Sequence, residues 1–153
     1  MNPMPDIRRI LVPHDFSETA DHALSYALSL AKKFDARVTV LHAYEVPTLG
    51  TSEALVASLE FAAEVERVAG NALDGIAARA RQSGMNIETM LRRGTAWTEI
   101  NAIAEQTKAD LIVMGTHGRK GVSRVLLGSV AEKVVRTAPC PVLTVHGEGT
   151  AQT

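Results

Sequence analysis

The sequence predicts an α/β fold: a five-stranded parallel sheet with helices on both faces. Two observations carry this prediction. Short apolar runs of strand length recur along the chain, and between them lie segments whose apolar residues are spaced for one face of a helix. The resulting order is β-α-β-α-β-α-β-loop-α-β. Strands that alternate with helices favour a parallel sheet joined by right-handed crossovers, which cover both of its faces.

The first two strands and the helix between them are predicted within residues 8–44. Residues 8–13 (RRILVP) form an apolar run that ends at proline, which is typical of a strand buried on both faces. The segment 17–34 has helical spacing, with acidic residues near its start and lysines near its end. Residues 37–44 (RVTVLHAY) are rich in β-branched residues and predict the second strand.

A long amphipathic helix is predicted over residues 53–83, with its apolar face turned toward the sheet. Gly70 and Gly75 lie inside it, and each costs up to ~1 kcal/mol relative to alanine, so its continuity is left open. Gly84 is predicted to end it. The remaining elements are a strand at 86–93, a helix capped by Thr95, a strand at 109–114, a helix at 129–137 and a strand at 141–145.

Length and composition predict one domain over residues 1–153, with an ordered core of about 6–146. The net charge of −1 provides no basic field for nucleic acid. No segment approaches the roughly 18 to 20 apolar residues of a membrane span, and the N-terminus has no long apolar region typical of a signal peptide. A single cysteine, Cys140, fits a reducing compartment. We therefore expect a cytoplasmic protein with no nucleic-acid or membrane partner.

Two segments of unusual chemistry follow predicted strands. One is Pro13–Ser17, after strand 1, and the other is 114–130 (MGTHGRKGVSRVLLGSV), after strand 4. In doubly wound sheets the ligand lies beyond the carboxyl ends of the strands, where the winding direction reverses. If strands 1 and 4 are neighbours, these two segments face each other across one crevice.

The segment after strand 4 has the chemistry of a phosphate site. Gly115 and Gly118 allow a tight turn and a close approach of the backbone to a ligand. Gly128-Ser129 precedes the last helix, whose free N–H groups and dipole favour an anion. The basic residues between them could neutralise phosphate charge: Arg119, Lys120 and Arg124. The alternative is that the glycines serve only a turn and Ser129 only caps the helix.

The spacing Gly115-x2-Gly118-x9-Gly128-Ser129 resembles the nucleotide-binding signature of the universal stress protein family. The resemblance extends to RRILVPHDFSETADHAL, LHAYEVP, ADLIVMGTHGRKG and GSVAEKVVRTAPCPVLTV, in the family's order and over nearly the whole chain. It implies the strand order 3-2-1-4-5, which places strands 1 and 4 side by side. It also implies a site for ATP or another adenine nucleotide, with Mg²⁺.

The resemblance assigns roles to individual positions. Asp15 would meet the adenine or ribose end, the backbone of Ala43 would pair with the adenine edge, and the start of the helix at Ser129 would bind the phosphates. The full set implied is Pro13, His14, Asp15, Ala43, Met114, Gly115, His117, Gly118, Arg119, Gly128, Ser129 and Val130. His14 departs from the smaller residue, such as valine or threonine, of many relatives, so we expect it to affect the base pocket.

The family also implies a regulatory stress-response homodimer formed through the last strand. Here that strand, Pro141 to Val145, is apolar, and unpaired it would invite association. Slow ATP hydrolysis at the same site is the alternative function. Hydrolysis needs a group that positions water beside the terminal phosphate. The only carboxylate in the segments that form the predicted site, Asp15, belongs to the other end of the nucleotide, so no catalytic residue is predicted and turnover is expected to be weak or absent.

Other interpretations of single residues are weighed against these roles. Asp15 with Glu18 three residues later also has the pattern of an N-cap and its capping-box partner. His14, His42 and His117 follow or end strands at one sheet edge, yet they lack the ligand spacing of a metal site, so none is predicted. A phospho-accepting receiver domain would need an aspartate closing strand 3 and a lysine closing strand 5; Arg93 and His146 stand there instead. Trp97 and Cys140 are interpreted as packing residues.

Overall fold

Helices and strands alternate along the part of the chain that the structure, a computed structural model, describes: residues 5–47, 50–117 and 127–147. The elements are β1 (Arg9–Pro13), α1 (Glu18–Phe34), β2 (Arg37–Tyr44), α2 (Ser52–Gln82), β3 (Ile87–Arg93), α3 (Ala96–Gln106), β4 (Leu111–Gly115), α4 (Ser129–Thr137) and β5 (Val142–Val145). This is the predicted order, and most boundaries differ from the prediction by one or two residues.

The strands form one five-stranded sheet in the order β3-β2-β1-β4-β5, and every pairing in it is parallel. The predicted fold class and strand order are therefore confirmed. Ile10 of β1 pairs with Val38 of β2 on one side and with Leu111 of β4 on the other. Because β1 and β4 are neighbours, the chain reverses its winding direction between them, and the loops that follow both strands meet at one edge.

Two apolar layers cover the sheet, and β1 contributes to both because its side chains alternate between the faces. Ile10 and Val12 pack with α1 and α2, whereas Leu11 packs with α3 and α4. Trp97 and Cys140 pack against the α3/α4 layer, as expected.

Helix α2 is continuous through both of its glycines. A Cβ atom at Gly70 would meet nothing within 4 Å, so close packing does not require the missing side chain there. The helix ends at Gln82 with Ser83 as its C-cap, and Gly84, the residue predicted to end it, follows in the left-handed conformation with φ = +81°. The five core-facing residues of the helix are Ala62, Ala69, Leu73, Ile76 and Ala80.

The last strand, β5, lies at one edge of the sheet and pairs with β4 alone among the described strands. All four of its residues are partly exposed.

Within the described ranges, no helix is long and apolar enough to cross a membrane.

Candidate functional site

A cavity of about 370 Å³ opens at the carboxyl ends of β1 and β4. Parts of β1, β2, β4, α1, α3 and α4 surround it. Its lining residues are Pro13, His14, Asp15, Ala20, Leu41, Ala43, Ala96, Ile100, Met114, Gly115, Thr116, His117, Gly128, Ser129, Val130 and Ala131. The cavity lies where the winding reverses, which is the expected position of a ligand in this class of sheet.

The residues assigned to the site from the sequence converge on this cavity. It is lined by Pro13, His14, Asp15, Ala43, Met114, Gly115, His117, Gly128, Ser129 and Val130. The other two, Gly118 and Arg119, lie outside the described residues, as do Lys120 and Arg124. The structure therefore brings together segments that are up to 117 positions apart in the chain.

Helix α4 begins at the cavity, with Gly128 as its N-cap residue. The Gly128 N–H donates to the Thr116 carbonyl at 2.6 Å, and the first hydrogen bond of the helix runs from Glu132 N–H to the Gly128 carbonyl at 2.9 Å. The N–H groups of Ser129, Val130 and Ala131 precede that bond, and Gly128 has no side chain to cap them. All three residues line the cavity, so this end has the donors and the dipole of an anion site.

His117 places an unused polar atom beside the same end of the cavity. Its Nδ1 is hydrogen-bonded to Thr116 Oγ1 at 3.0 Å. Its Nε2 is buried and has no hydrogen-bond partner among the described residues. A buried polar atom without a partner costs free energy unless a ligand or water satisfies it, so His117 Nε2 is suited to meet a ligand oxygen.

Asp15 holds the turn between β1 and α1 instead of capping the helix. The N-cap of α1 is Ser17, whose Oγ accepts from the Ala20 N–H at 3.1 Å. Asp15 Oδ1 accepts from the Ser17 N–H, also at 3.1 Å. The capping-box interpretation of Asp15 is therefore wrong, because the helix begins two residues later than the Asp15–Glu18 spacing suggests. Asp15 remains at the cavity wall.

His14 is buried, and its imidazole nitrogens contact α1 and the turn. The Phe16 N–H donates to Nδ1 at 2.9 Å, and Nε2 lies 3.0 Å from Asp21 Oδ1. Phe16 and Asp21 line a second cavity, of about 310 Å³, which also includes Arg79 of α2. Burial lowers the pKa of His14, although the hydrogen bond and the charge of Asp21 oppose this. The ring thus contacts the α1/α2 side, while His14 also lines the main cavity.

Gly115 lines the cavity, and the packing of α1 also requires that it has no side chain. A Cβ atom there would lie 2.7 Å from Thr19 Cγ2, on α1. The glycine therefore allows α1 to pack closely against the end of β4. Its φ does not require glycine, so the contact with Thr19 is the constraint that the structure shows.

Six lining residues were not predicted: Ala20, Leu41, Ala96, Ile100, Thr116 and Ala131. Most are ordinary apolar residues of helices and strands. Ala96 and Ile100 lie one turn apart at the start of α3, a spacing that also fits a core face. What could have indicated Ala96 and Ile100 is their position in the chain, since they follow β3 at the same edge of the sheet.

The histidines at this edge are used for hydrogen bonds. His42 Nδ1–H donates to the His14 carbonyl at 2.7 Å, and the His42 ring stacks on Phe16 with the ring centroids 4.3 Å apart. In the described part of the chain, no group of three or more His, Cys, Asp or Glu side chains is arranged to hold a metal ion.

The parallel sheet of this order, with a cavity and the start of helix α4 at its switch point, defines the chain as a doubly wound α/β protein. A profile of the Universal stress protein family matches residues 6–146. The chain is 40% identical over 140 residues to a universal stress protein of Methanocaldococcus jannaschii, covering 90% of this chain and 81% of that protein. The chain belongs to the universal stress protein family.

Solved structures of the family have the same fold. Universal stress protein UspA of Lactobacillus plantarum superposes with a TM-score of 0.82 at 28% identity, covering 90% of this chain and 97% of that one. A universal stress protein solved in complex with cAMP has a TM-score of 0.60 at 26% identity, covering 94% of this chain and 99% of that one. An adenine nucleotide is thus bound by a structural relative of this chain.

Proposed function

We propose that this protein binds an adenine nucleotide, ATP with Mg²⁺, in the cavity between β1 and β4, and that it acts as a regulatory homodimer in the response to stress. The observation that carries the proposal is the convergence of both signature segments on one cavity. The residues 13–15, at the end of β1 and just after it, and 128–130, at the start of α4, all line it. The family membership and the cAMP complex of a relative support an adenine nucleotide as the ligand.

The cavity fits such a ligand in size and in chemistry. Its volume of about 370 Å³ falls within the roughly 300–1,000 Å³ typical of small-molecule sites. Leu41, Ala43, Ala96 and Ile100 offer an apolar region suited to a base. The α4 N-terminus offers donors suited to phosphate, and so does His117 Nε2, which has no hydrogen-bond partner within the described ranges. Mg²⁺ would be bound through phosphate oxygens and would neutralise part of their charge.

Hydrolysis receives less support than binding. Asp15 is the only carboxylate among the described residues that line the cavity, and its Oδ1 already accepts a hydrogen bond from the Ser17 N–H. Phosphoryl transfer to water requires a residue that orients the attacking water. We therefore propose a protein that holds its nucleotide and turns it over slowly or not at all.

A homodimer through β5 is supported by the position of that strand. β5 is an edge strand with partly exposed residues, and an open apolar edge favours pairing with another strand. A second copy of the chain presents the same edge, which suits a two-fold interface.

The test begins with the purified protein. Denaturation releases any bound small molecule for identification, and calorimetry then measures the affinity of the nucleotide-free protein for ATP with Mg²⁺. The informative variant is Gly128→Val, since its backbone at φ −59° and ψ 158° accepts valine without strain. Its branched side chain would stand at the start of α4, and we expect ATP affinity to fall by about 100-fold or more, from the lost phosphate contacts.

Gly70→Val is the matched control, because a Cβ atom at that position of α2 meets nothing within 4 Å. We expect this variant to bind ATP as the unmodified protein does. Undiminished ATP affinity in Gly128→Val would refute the site. Steady release of phosphate over many turnovers would replace the binding proposal with the ATPase alternative.

A further inference from the structure

His14 holds the turn that separates the two cavities. Its side chain is 1% exposed, and each ring nitrogen has one partner. The Phe16 N–H can only donate, so Nδ1 must accept and carries no proton. The proton of the neutral ring is then on Nε2, which donates to Asp21 Oδ1. The geometry thus defines one tautomer.

The turn that His14 holds includes Asp15. His14 Nδ1 accepts from the Phe16 N–H, and Asp15 Oδ1 accepts from the next N–H, that of Ser17. Phe16 lies between these two bonds with φ = 65°, a conformation that residues other than glycine adopt only when their surroundings impose it. Asp15, on the cavity wall, therefore depends on a strained neighbour that the His14 ring helps to fix.

Protonation of His14 would remove this support. A doubly protonated imidazole presents N–H donors on both sides, so the Phe16 N–H would face another donor instead of an acceptor. The Phe16 turn would have to open to separate them. The stacking of Phe16 on His42, and the bond from His42 to the His14 carbonyl, would change with it.

Charged and titratable groups face His14 from every element around it. Asp21 of α1 and Asp15 of the turn favour the charged ring, and His42 of β2 disfavours it when protonated. Arg79 of α2 lines the same second cavity as the imidazole. Among these groups Asp21 makes the direct contact, at 3.0 Å.

We propose that His14 is a positioning residue whose neutral, Nε2-protonated ring holds Asp15 in the conformation that binds nucleotide, so that protonation of His14 releases the turn and weakens nucleotide binding in acid. This inference rests on the proposed function. It makes the nucleotide site of this chain sensitive to pH through the side chain of His14.

The test measures ATP affinity by calorimetry between about pH 4 and pH 8, a range that extends well below the ordinary histidine pKa because burial lowers the pKa of His14. We expect the unmodified protein to lose about tenfold in affinity on acidification, the scale of one lost buried hydrogen bond. His14→Asn keeps an acceptor for the Phe16 N–H but does not titrate, so its curve should lack this loss. Asp21→Asn keeps an acceptor for Nε2–H but removes the charge that favours the protonated ring, so its midpoint should move to lower pH.

The terminal phosphate of ATP titrates in the same range, with a pKa of about 6. Its titration is common to all three proteins, so the effect of His14 is the difference between the unmodified protein and the two variants. A His14→Asn curve with the same acid loss as the unmodified protein would overturn the proposal, as would a flat curve, or tighter binding in acid, for the unmodified protein. An unmoved midpoint in Asp21→Asn would also count against it.

A nucleotide-free NMR titration separates this inference from the proposed function. The ring nitrogens of His14 report its tautomer and protonation, and the Phe16 amide reports the turn. The signals of the His14 ring and of the Phe16 amide should change with the same pH midpoint. A Phe16 amide that stays unchanged while His14 protonates refutes the inference even if ATP binds. A protein that binds ATP at no pH refutes the proposed function, while the titration still decides whether His14 controls the turn.

Discussion

Gly115, the last residue of β4, packs against Thr19 of α1 so closely that a Cβ atom on the glycine would lie 2.7 Å from Thr19 Cγ2 and 3.3 Å from the Thr19 carbonyl carbon. A Cβ atom on Gly147, just past β5, would in turn lie 3.1 Å from Thr19 Oγ1. Thr19 thus lies between the ends of two strands. The sheet edge that carries the cavity is held against α1 at this point.

Gly115→Ala is predicted to destabilise the fold by about 1–3 kcal/mol, the usual cost of an added methyl group in a closely packed place. The measurement is the free energy of unfolding in urea. Thr19→Ser removes the methyl group at 2.7 Å, so the double variant should recover part of the loss, whereas the carbonyl carbon at 3.3 Å keeps the recovery incomplete.

Gly70→Ala is the control for this experiment. Its Cβ atom meets nothing within 4 Å, and alanine is favoured over glycine in a helix interior by about 0.5–1 kcal/mol, so this variant should be more stable. If the changes in unfolding free energy caused by Gly115→Ala and Thr19→Ser simply add in the double variant, the two residues are not in contact.

Periodicity was enough to predict the elements and their class, because each strand and helix carries its own pattern of apolar residues. The strand order came from the family resemblance, since spacing alone does not say which strands pair. The local roles of Gly115 and His14 depend on contacts with Thr19 and Asp21 of α1. The role of Asp15 depends on the residue at which α1 begins, because Ser17 and not Asp15 is its N-cap. None of these contacts leaves a sequence pattern that distinguishes it from the alternatives.

The stability of the protein is predicted to fall in acid, in part through His14. Burial lowers the pKa of His14 below its ordinary value near 6.5. Between these two pKa values the unfolded chain binds a proton that the folded chain does not. The stability associated with neutral His14 is therefore complete above about pH 6.5 and is lost as the pH falls through the folded pKa.

His14→Asn should remove this contribution. Urea unfolding is measured at several pH values between about pH 7.5 and pH 5. As the pH falls, the free energy of unfolding should decline less steeply for the variant than for the unmodified protein. Parallel declines would mean that His14 is protonated equally easily in the folded and unfolded chains.

Ala96→Leu is predicted to weaken nucleotide binding by filling part of the cavity. Ala96 begins α3 and lines the cavity beside Ile100. Three added carbons would occupy space suited to the base, so we expect ATP affinity to fall about tenfold, the scale of a small steric mismatch in an apolar pocket. Ala57→Leu, at an exposed position of α2, is the matched control and should bind normally. Equal affinities in the two variants would place the base elsewhere.

Thr144→Pro is predicted to convert a β5-paired homodimer into a monomer. The Pro141 carbonyl accepts from Ile112 N–H, and the Val145 carbonyl accepts from Thr116 N–H, so these residues direct their main-chain groups toward β4. Main-chain groups alternate in direction along a strand, and those of Thr144 therefore face the open edge. Proline at Thr144 removes the outward N–H and leaves the β4–β5 bonds in place, as is tolerated at sheet edges.

Analytical ultracentrifugation over a range of protein concentrations measures the outcome. Thr144→Val is the matched control, since it keeps the N–H and should stay dimeric. Circular dichroism should show that the proline variant is folded, because the alternation of main-chain groups along β5 directs the Thr144 N–H away from β4. A folded Thr144→Pro protein that is still a dimer would show that the subunits associate through a surface other than the β5 edge.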